Sequence, residues 1–465
     1  MANPNDAFNG LNPIQPIFDP ASQTMQMPRL RPVRGFPVQV QDQQMMGLSD
    51  ARQISDKIAV LPPAAQVVLP LMDGSRGLDE IVSQVGRGLT RPILESLVAQ
   101  LDDAGLIEGA TFTKMLEKMR TEFDSNSVLP PSSTISFTDA LADQFVNKDL
   151  AEGVEPRKAT EAEREEIGPK QFRDLIDQWI AAALKDAAKP SLDELPKAVV
   201  APHLDYGRGW MNYANTYGRL RVVDRPDRII ILGTNHFGEA TGVCGCDKGY
   251  LTPLGTCNVD EELVTKLKAR LGAENATKLF ANRFDHEREH SIELHIPWII
   301  HCLGKDDAGN GCKVFGALIH DPTVKDGESY DGNGLALAPF VEALRDVIAQ
   351  LPGKTLIISS ADLSHSGQAF GDRQPLVGDS EEASTARDQI FNHDRQMLQL
   401  IVENKAQEFL AGMAWQQNPT RWCSIGNLYA TMQVVQPRRI EWFNYAASMD
   451  EQGVALVSSA SLAMY

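Results

Sequence analysis

Four short apolar runs in the second half of the chain constrain its fold more than any other feature. Ala198-Val199-Val200, Ile229-Ile230-Ile231-Leu232, Val314 to Ile319 and Leu356-Ile357-Ile358 carry no charged residue. A strand with one face in water alternates apolar with polar residues, whereas an unbroken apolar run signals burial on both faces. Segments with helical spacing, Glu261 to Leu271 and Leu335 to Leu351, lie between these runs. The alternation predicts an α/β domain whose mixed, largely parallel sheet is covered by helices on both faces.

Three of the runs finish at residues that bind metals or move protons. The first leads into Pro202-His203, the second into Asn235-His236 and the last into Asp362-Leu-Ser-His365. In open α/β sheets, ligands bind beyond the carboxyl ends of the strands. A lone histidine at a strand end is more often structural, but three such ends in one domain favour a shared crevice.

The blocks APHLDY (201–206), IIILGTNHFG (229–238), TPLG (252–255) with Asp260 after it, EHSIELHIPW (289–298), SADLSH (360–365) and NYAAS (444–448) extend this pattern. Their order and spacing resemble the Memo family, also called AmmeMemoRadiSam system protein B. That family is similar in fold to the class III extradiol (LigB-type) dioxygenases. The resemblance implies a metal pocket at His203, His236 and, in RWCSIGNLYA, Cys423. It implies an Asp-x-x-His pair at Asp362 and His365, and places His290 and Glu293 beside the pocket, where they would fix the orientation of the ligands. A buried polar network at a helix start is the alternative account of His290 and Glu293. Two stretches differ from the usual family residues: Ser424 follows Cys423 where glycine is usual, and Leu204-Asp205 stands where Ala-Gly is commoner.

Two imidazoles and a thiolate make a borderline-soft site that leaves coordination positions open. One divalent or redox metal is expected there, with iron favoured and zinc or copper chemically admissible. His365 is then the candidate acid/base, because imidazole titrates near neutral pH. Asp362 either orients that ring or caps the turn after the strand. The stretch His286-Glu287-Arg288-Glu289-His290 also satisfies the H-E-x-x-H protease pattern. Its charged flanks do not suit a helix lining an apolar cleft, and only His290 is a family position.

The N-terminal part reads differently. Residues 1–28 are rich in Pro, Asn, Gln and Met without periodicity and are expected to be a disordered tail. Over residues 29–112 a helix is expected from Ala64 to Met72, a second around Leu78 to Val85, a third from Pro92, and then a short strand at Leu106-Ile-Glu. This outline resembles the PqqD-like winged-helix domains that present peptides to radical enzymes; a packing or dimerisation module is the alternative. Residues 113–168 read as a connector, and 169–465 as the Memo-like domain, opening on an amphipathic helix with Phe172, Ile176 and Ile180 on one stripe.

Charge narrows the partners. Lys and Arg number 44 against 62 Asp and Glu, a net charge of −18 that repels phosphate backbones and anionic lipid. Neither nucleic acid nor membrane is expected as a partner, and the N-terminal domain carries two basic residues against six acidic ones between Leu78 and Gly109. Six cysteines without a CxxC pair and an N-terminus without a basic-then-apolar leader fit a cytoplasmic protein. The expected function is a metal-dependent, dioxygenase-like oxidoreductase on a small or peptide-borne substrate. The alternative is a non-catalytic metal- or peptide-binding partner of a radical SAM enzyme.

Overall fold

The computed structural model describes residues 16–40, 43–86, 88–151, 153–450 and 452–465. The chain divides into two compact units, Met1–Asn126 and Ser127–Tyr465. In the first, strands Val33–Val40, Gln43–Asp50 and Ala59–Leu61 form an antiparallel sheet. Helices Leu78–Val85, Arg91–Asp103 and Ala110–Ser125 follow. Leu48, Leu61, Ile81, Leu94 and Val98 belong to its core.

Three expectations change here. The helix expected from Ala64 to Met72 is instead two 3-10 turns, Pro63–Val67 and Leu69–Leu71. Pro70 has no N–H to donate and disfavours helical backbone at the residue before it. The strand expected at Leu106-Ile-Glu is reduced to one bridge between Leu30 and Ile107. Of the tail expected over 1–28, residues 1–15 lie outside the described residues. The remainder is ordered: Ser22 caps a short helix, Gln23–Gln26, and Phe18 and Met25 pack against the core.

The stretch expected as a connector, 113–168, is likewise divided between the two units. From Val128 onward it is built into the second unit, where Val128–Leu129 pair with Gly249–Thr252. Helix α1 (Ser133–Val146) then packs along α2 (Glu161–Leu184), which buries Phe172, Ile176 and Ile180.

The sheet of the second unit has strands β1 (Ala198–Ala201), β2 (Arg228–Thr234), β3 (Cys244–Cys246), β4 (Lys313–Ile319), β5 (Thr355–Ser360), β6 (Asp362–Ser366), β7 (Ile440–Met449) and β8 (Leu456–Met464). Their order is β6-β8-β1-β5-β2-β4-β3, with β7 paired to β8. The four central strands, β1, β5, β2 and β4, are parallel to one another, and antiparallel strands flank them. Val200, Ile230, Leu232, Phe315 and Ile357 join one core cluster, with Leu344 of α7 (Leu337–Gln350) and Leu428 of α10 (Ile425–Val435). The alternate residues Val199, Ile229, Ile231, Val314 and Ile358 point to the opposite face and are equally buried. Both faces are therefore covered, and the expected mixed α/β architecture is what the chain forms.

Between α2 and α7 lie α3 (Tyr206–Leu220), α4 (Glu261–Phe280), the single turn α5 (His290–Glu293) and α6 (Ile296–Leu303). Gly272 interrupts α4 with a φ of 75°, so the first helical segment ends at Leu271, where the apolar periodicity ends. Between α7 and α10 lie α8 (Glu381–Val402) and α9 (Ala406–Trp415). Among the described residues, no helix is long and apolar enough to cross a membrane.

At the start of β2 a buried ion pair fixes α4 to the sheet. Arg228 Nε donates to Asp260 Oδ2 at 2.8 Å, Asp260 Oδ1 accepts from Leu263 N at the start of α4, and both side chains are almost sealed from water. The Asp260 that accompanies the TPLG block is thus a structural anchor. Removing one partner leaves the other charge buried alone, so Arg228→Met is expected to lower the unfolding free energy by about 3–5 kcal/mol, read from urea denaturation.

Candidate metal centre

Parallel pairing brings the carboxyl ends of β1, β5 and β2 to one edge of the sheet. β5 lies between the other two, with Ser360 opposite Ala201 and Ser359 opposite Leu232. His203 follows β1, His236 follows β2, and Ser360 closes β5 between them. Cys423 arrives from the segment that leads into α10. His203, His236 and Cys423 offer donor atoms that all lie within 4.8 Å of one another.

Hydrogen bonds set the protonation state of each ring. The Ser360 hydroxyl donates to the Ser291 carbonyl at 2.6 Å, so its oxygen accepts from His203 Nδ1–H at 2.9 Å. That tautomer leaves the His203 Nε2 lone pair facing Cys423 Sγ, 3.2 Å away. Burial, with the neighbouring imidazoles, pushes the His203 pKa well below its ordinary value, so the ring is neutral.

His236 is bound through Nδ1 to Glu289 Oε1 at 3.0 Å, and its backbone N–H donates to Glu289 Oε2 at 2.7 Å. Burial alone would raise Glu289, but His236, His290 and the backbone donor hold it at about 2. For His236, burial alone would lower the pKa; Glu289 and Cys423 outweigh it and raise the ring well above its ordinary value. An ionised carboxylate behind the imidazole fixes its orientation and makes Nε2 a stronger donor once its proton leaves.

Cys423 sits on a constrained loop. Gln417, Asn418 and Arg421 adopt left-handed backbone at φ 57°, 46° and 57°, a conformation that costs non-glycine residues about 1–2 kcal/mol each. The loop is held by Trp422, buried with its indole N–H donating to Asp394 Oδ1 at 2.8 Å. Asp394 also accepts from the hydroxyls of Ser364, Tyr445 and Ser458, so this carboxylate is fully hydrogen-bonded. Ser424, the departure from glycine, donates to the Asp362 carbonyl at 2.5 Å and ties the loop to β6. Burial raises the Cys423 pKa, and His236 partly offsets it.

Asp362 and His365 are brought beside this group in different roles. Asp362 Oδ1 accepts from the backbone N–H of His203 and of Leu204, at 3.0 and 3.1 Å. Of the two roles open to Asp362, it therefore fixes backbone, and the backbone it fixes is that of the His203 turn. Burial lifts its pKa to about 7 against those two donors. His365 is oriented instead by two carbonyls: its Nδ1 lies 2.9 Å from Leu363 O and 3.1 Å from Arg421 O, both of which can accept its N–H. Its Nε2 is left as a lone pair, and burial lowers its pKa to about 4.

His290 and Glu293 separate. The His290 ring lies 4.7 Å from that of His236 and 5.6 Å from that of His203. Glu293 turns away: its carboxylate accepts from the backbone N–H groups of Ser132, Ser133 and Thr134 and from the Thr134 hydroxyl, capping α1. The carboxylate beside the pocket is Glu289, to which sequence reasoning gave no role. Its position directly before His290, at a helix N-cap, was the available signal. His286 is excluded from any zinc-protease arrangement, because Nδ1 pairs with the Tyr250 hydroxyl and Nε2 with the Cys244 carbonyl. The motif also spans a 3-10 turn and a separate helical turn rather than one helix. Asp205, the other departure, caps α3 and pairs with Arg208.

A family model described as "Memo-like protein" matches residues 166–464. The chain belongs to the Memo-like family. Relatives include the MEMO1 family protein of Desulfurococcus amylolyticus, 24% identical over 294 residues, covering 61% of this chain and 89% of the relative. The Sulfolobus acidocaldarius MEMO1 family protein is 26% identical over 253 residues, covering 52% and 78%. That of Methanopyrus kandleri is 28% identical over 201 residues, covering 42% and 64%. The Memo match leaves the first 165 residues outside it.

A metal ion entering between His203, His236 and Cys423 would have to displace the His236 Nε2 proton and the Cys423 thiol proton, since both pKa values are raised. Apparent affinity for zinc is therefore expected to fall as pH falls, with two protons released per ion near neutral pH. Glu289→Gln lowers the His236 pKa, so proton release should drop towards one and affinity should weaken about 10–100-fold. Competition titration against a chromophoric chelator at several pH values measures both.

Proposed function

We propose that the Memo domain holds one redox metal, iron by preference, through His203, His236 and Cys423, and acts as a dioxygenase-like oxidoreductase. The observation that carries this reading is the prepared donor set. Ser360 and Glu289 each engage the Nδ1 side of one imidazole, which directs both Nε2 atoms and the thiol sulfur into the same space. Three protein donors leave coordination positions open for a substrate and a second small molecule. A bound redox metal would supply one-electron chemistry and Lewis acidity there.

The chain's own residues supply the rest. His365 presents a neutral imidazole with Nε2 unprotonated; because burial lowers its pKa to about 4, it would take a proton only from a substrate hydroxyl made acidic, as by coordination to a metal, and otherwise accepts a hydrogen bond from it. Asp362 holds the turn that carries His203, and His290 lines the pocket beside His236. A substrate carried on a peptide is supported by the N-terminal unit. It has an apolar cleft of about 440 Å³, lined by Leu61, Ala65, Val68, Ile93 and Leu97 among others.

Metal content after anaerobic purification, measured by plasma mass spectrometry, tests this reading. Near-stoichiometric iron is expected in the wild type and in His365→Gln, and its loss in His236→Ala. Metal-free wild type, or iron unchanged in His236→Ala, would overturn it.

A further inference from the structure

Beside the pocket, α2, α3 and α6 build a column of oxidisable rings. Trp210 of α3 and Trp179 of α2, both half-buried, stack with centroids 6.3 Å apart and planes 18° from parallel. Trp179 stacks on Trp298 of α6 at 6.0 Å and 16°. Trp298 stacks in turn on Tyr213 at 5.4 Å and 4°, and on Tyr217 at 5.7 Å and 23°. Trp298, Tyr213 and Tyr217 are fully buried. The inner end reaches the pocket wall: the Tyr213 hydroxyl donates to the carbonyl of Leu204, the residue after His203.

Packing alone does not account for the residues chosen. The Trp298 indole N–H and His295 Nε2 are buried without a hydrogen-bond partner among the described residues. A buried donor left unpaired is costly, and a phenyl ring in place of the Trp298 indole would avoid that cost. The polar atoms do have a use in electron transfer. Indole and phenol are among the most readily oxidised side chains, and a phenol gives up an electron easily only if its proton has somewhere to go. Tyr217 has that acceptor, with its hydroxyl 2.9 Å from His295 Nδ1. The sealed far side of His295 keeps the proton local, ready to return.

We propose that the Trp210–Trp179–Trp298 column is a one-electron conduit between the protein surface and the metal pocket, with Tyr217 as its radical site and Tyr213 as its contact with the pocket wall. The purpose of the conduit rests on the redox-metal reading above. An outer-sphere oxidant at the surface removes one electron from Trp210 or Trp179 and is itself reduced by one electron. The vacancy passes through Trp298 to Tyr217, whose O–H bond breaks as its proton moves to His295 Nδ1. A neutral tyrosyl radical and an imidazolium result. An electron from a one-electron reductant held in the pocket, a ferrous ion in the test below, returns by way of Tyr213 and Trp298 to refill the phenol, and the proton moves back from His295 to it.

Flash-quench oxidation of the full chain with photogenerated ruthenium(III) tris-bipyridine, followed by transient absorption and freeze-quench electron paramagnetic resonance, tests this. In metal-free wild type a tyrosyl signal is expected. Trp298→Phe, which keeps a ring and removes the orphaned N–H, should lose the tyrosyl signal and retain a tryptophan radical. Tyr217→Phe should lose it with the column intact, and serves alone if Trp298→Phe does not fold. In iron(II)-loaded protein the tyrosyl lifetime should shorten, because the pocket supplies the electron. A tyrosyl yield unchanged in Tyr217→Phe or in folded Trp298→Phe, or a lifetime indifferent to bound iron, would overturn the conduit. Failure of iron to bind would count against the metal reading, and the metal-free arm would still decide whether the column conducts.

Discussion

Parallel pairing of β1, β5 and β2 is the constraint on which the rest of the second unit depends. Parallel neighbours end at the same edge, so His203, Ser360 and His236 meet there although they are far apart in sequence. The same pairing requires both faces of the strands to be covered, which explains their unbroken apolar runs. Sheet and site are thus specified by one pattern. Its apolar interior sets the strands, and the first polar residues beyond each strand set the chemistry.

Around that edge the protein fixes geometry with a few buried acceptors. Glu289 holds the ring and backbone of His236, Asp362 holds the turn that carries His203, and Asp394 anchors Trp422 beside Cys423. A buried carboxylate is costly unless its oxygens are hydrogen-bonded, and each of these is satisfied by several donors or by an imidazole. The strained loop before Cys423 is held by the same means. Rigid ligands are what a small, open metal site requires, since misplacement of one donor loses both affinity and selectivity.

Much of this was legible in the sequence, for identifiable reasons. Strand runs are visible because burial on both faces leaves no polar residue, and strand-end histidines stand out against them. The break of α4 at Gly272 was legible from periodicity. Other features depend on pairings that spacing cannot show. Glu289 and Glu293 are both acidic residues in one block, and only the fold turns the first to His236 and the second to α1. Asp362 lies three residues from His365 yet bonds to a turn 159 residues away. The 3-10 turns at Pro63–Leu71 show a local proline effect overriding apolar spacing. Phe18 and Met25 show how two apolar anchors order a segment whose composition reads as disordered.

The central claim is that His203, His236 and Cys423 form one metal site with sulfur in the coordination shell. X-ray absorption spectroscopy of the zinc-loaded protein tests it most directly. One sulfur neighbour is expected at about 2.3 Å and imidazole nitrogens at about 2.0–2.1 Å, with the sulfur lost in Cys423→Ser. A shell of nitrogen and oxygen alone in the wild type would contradict it.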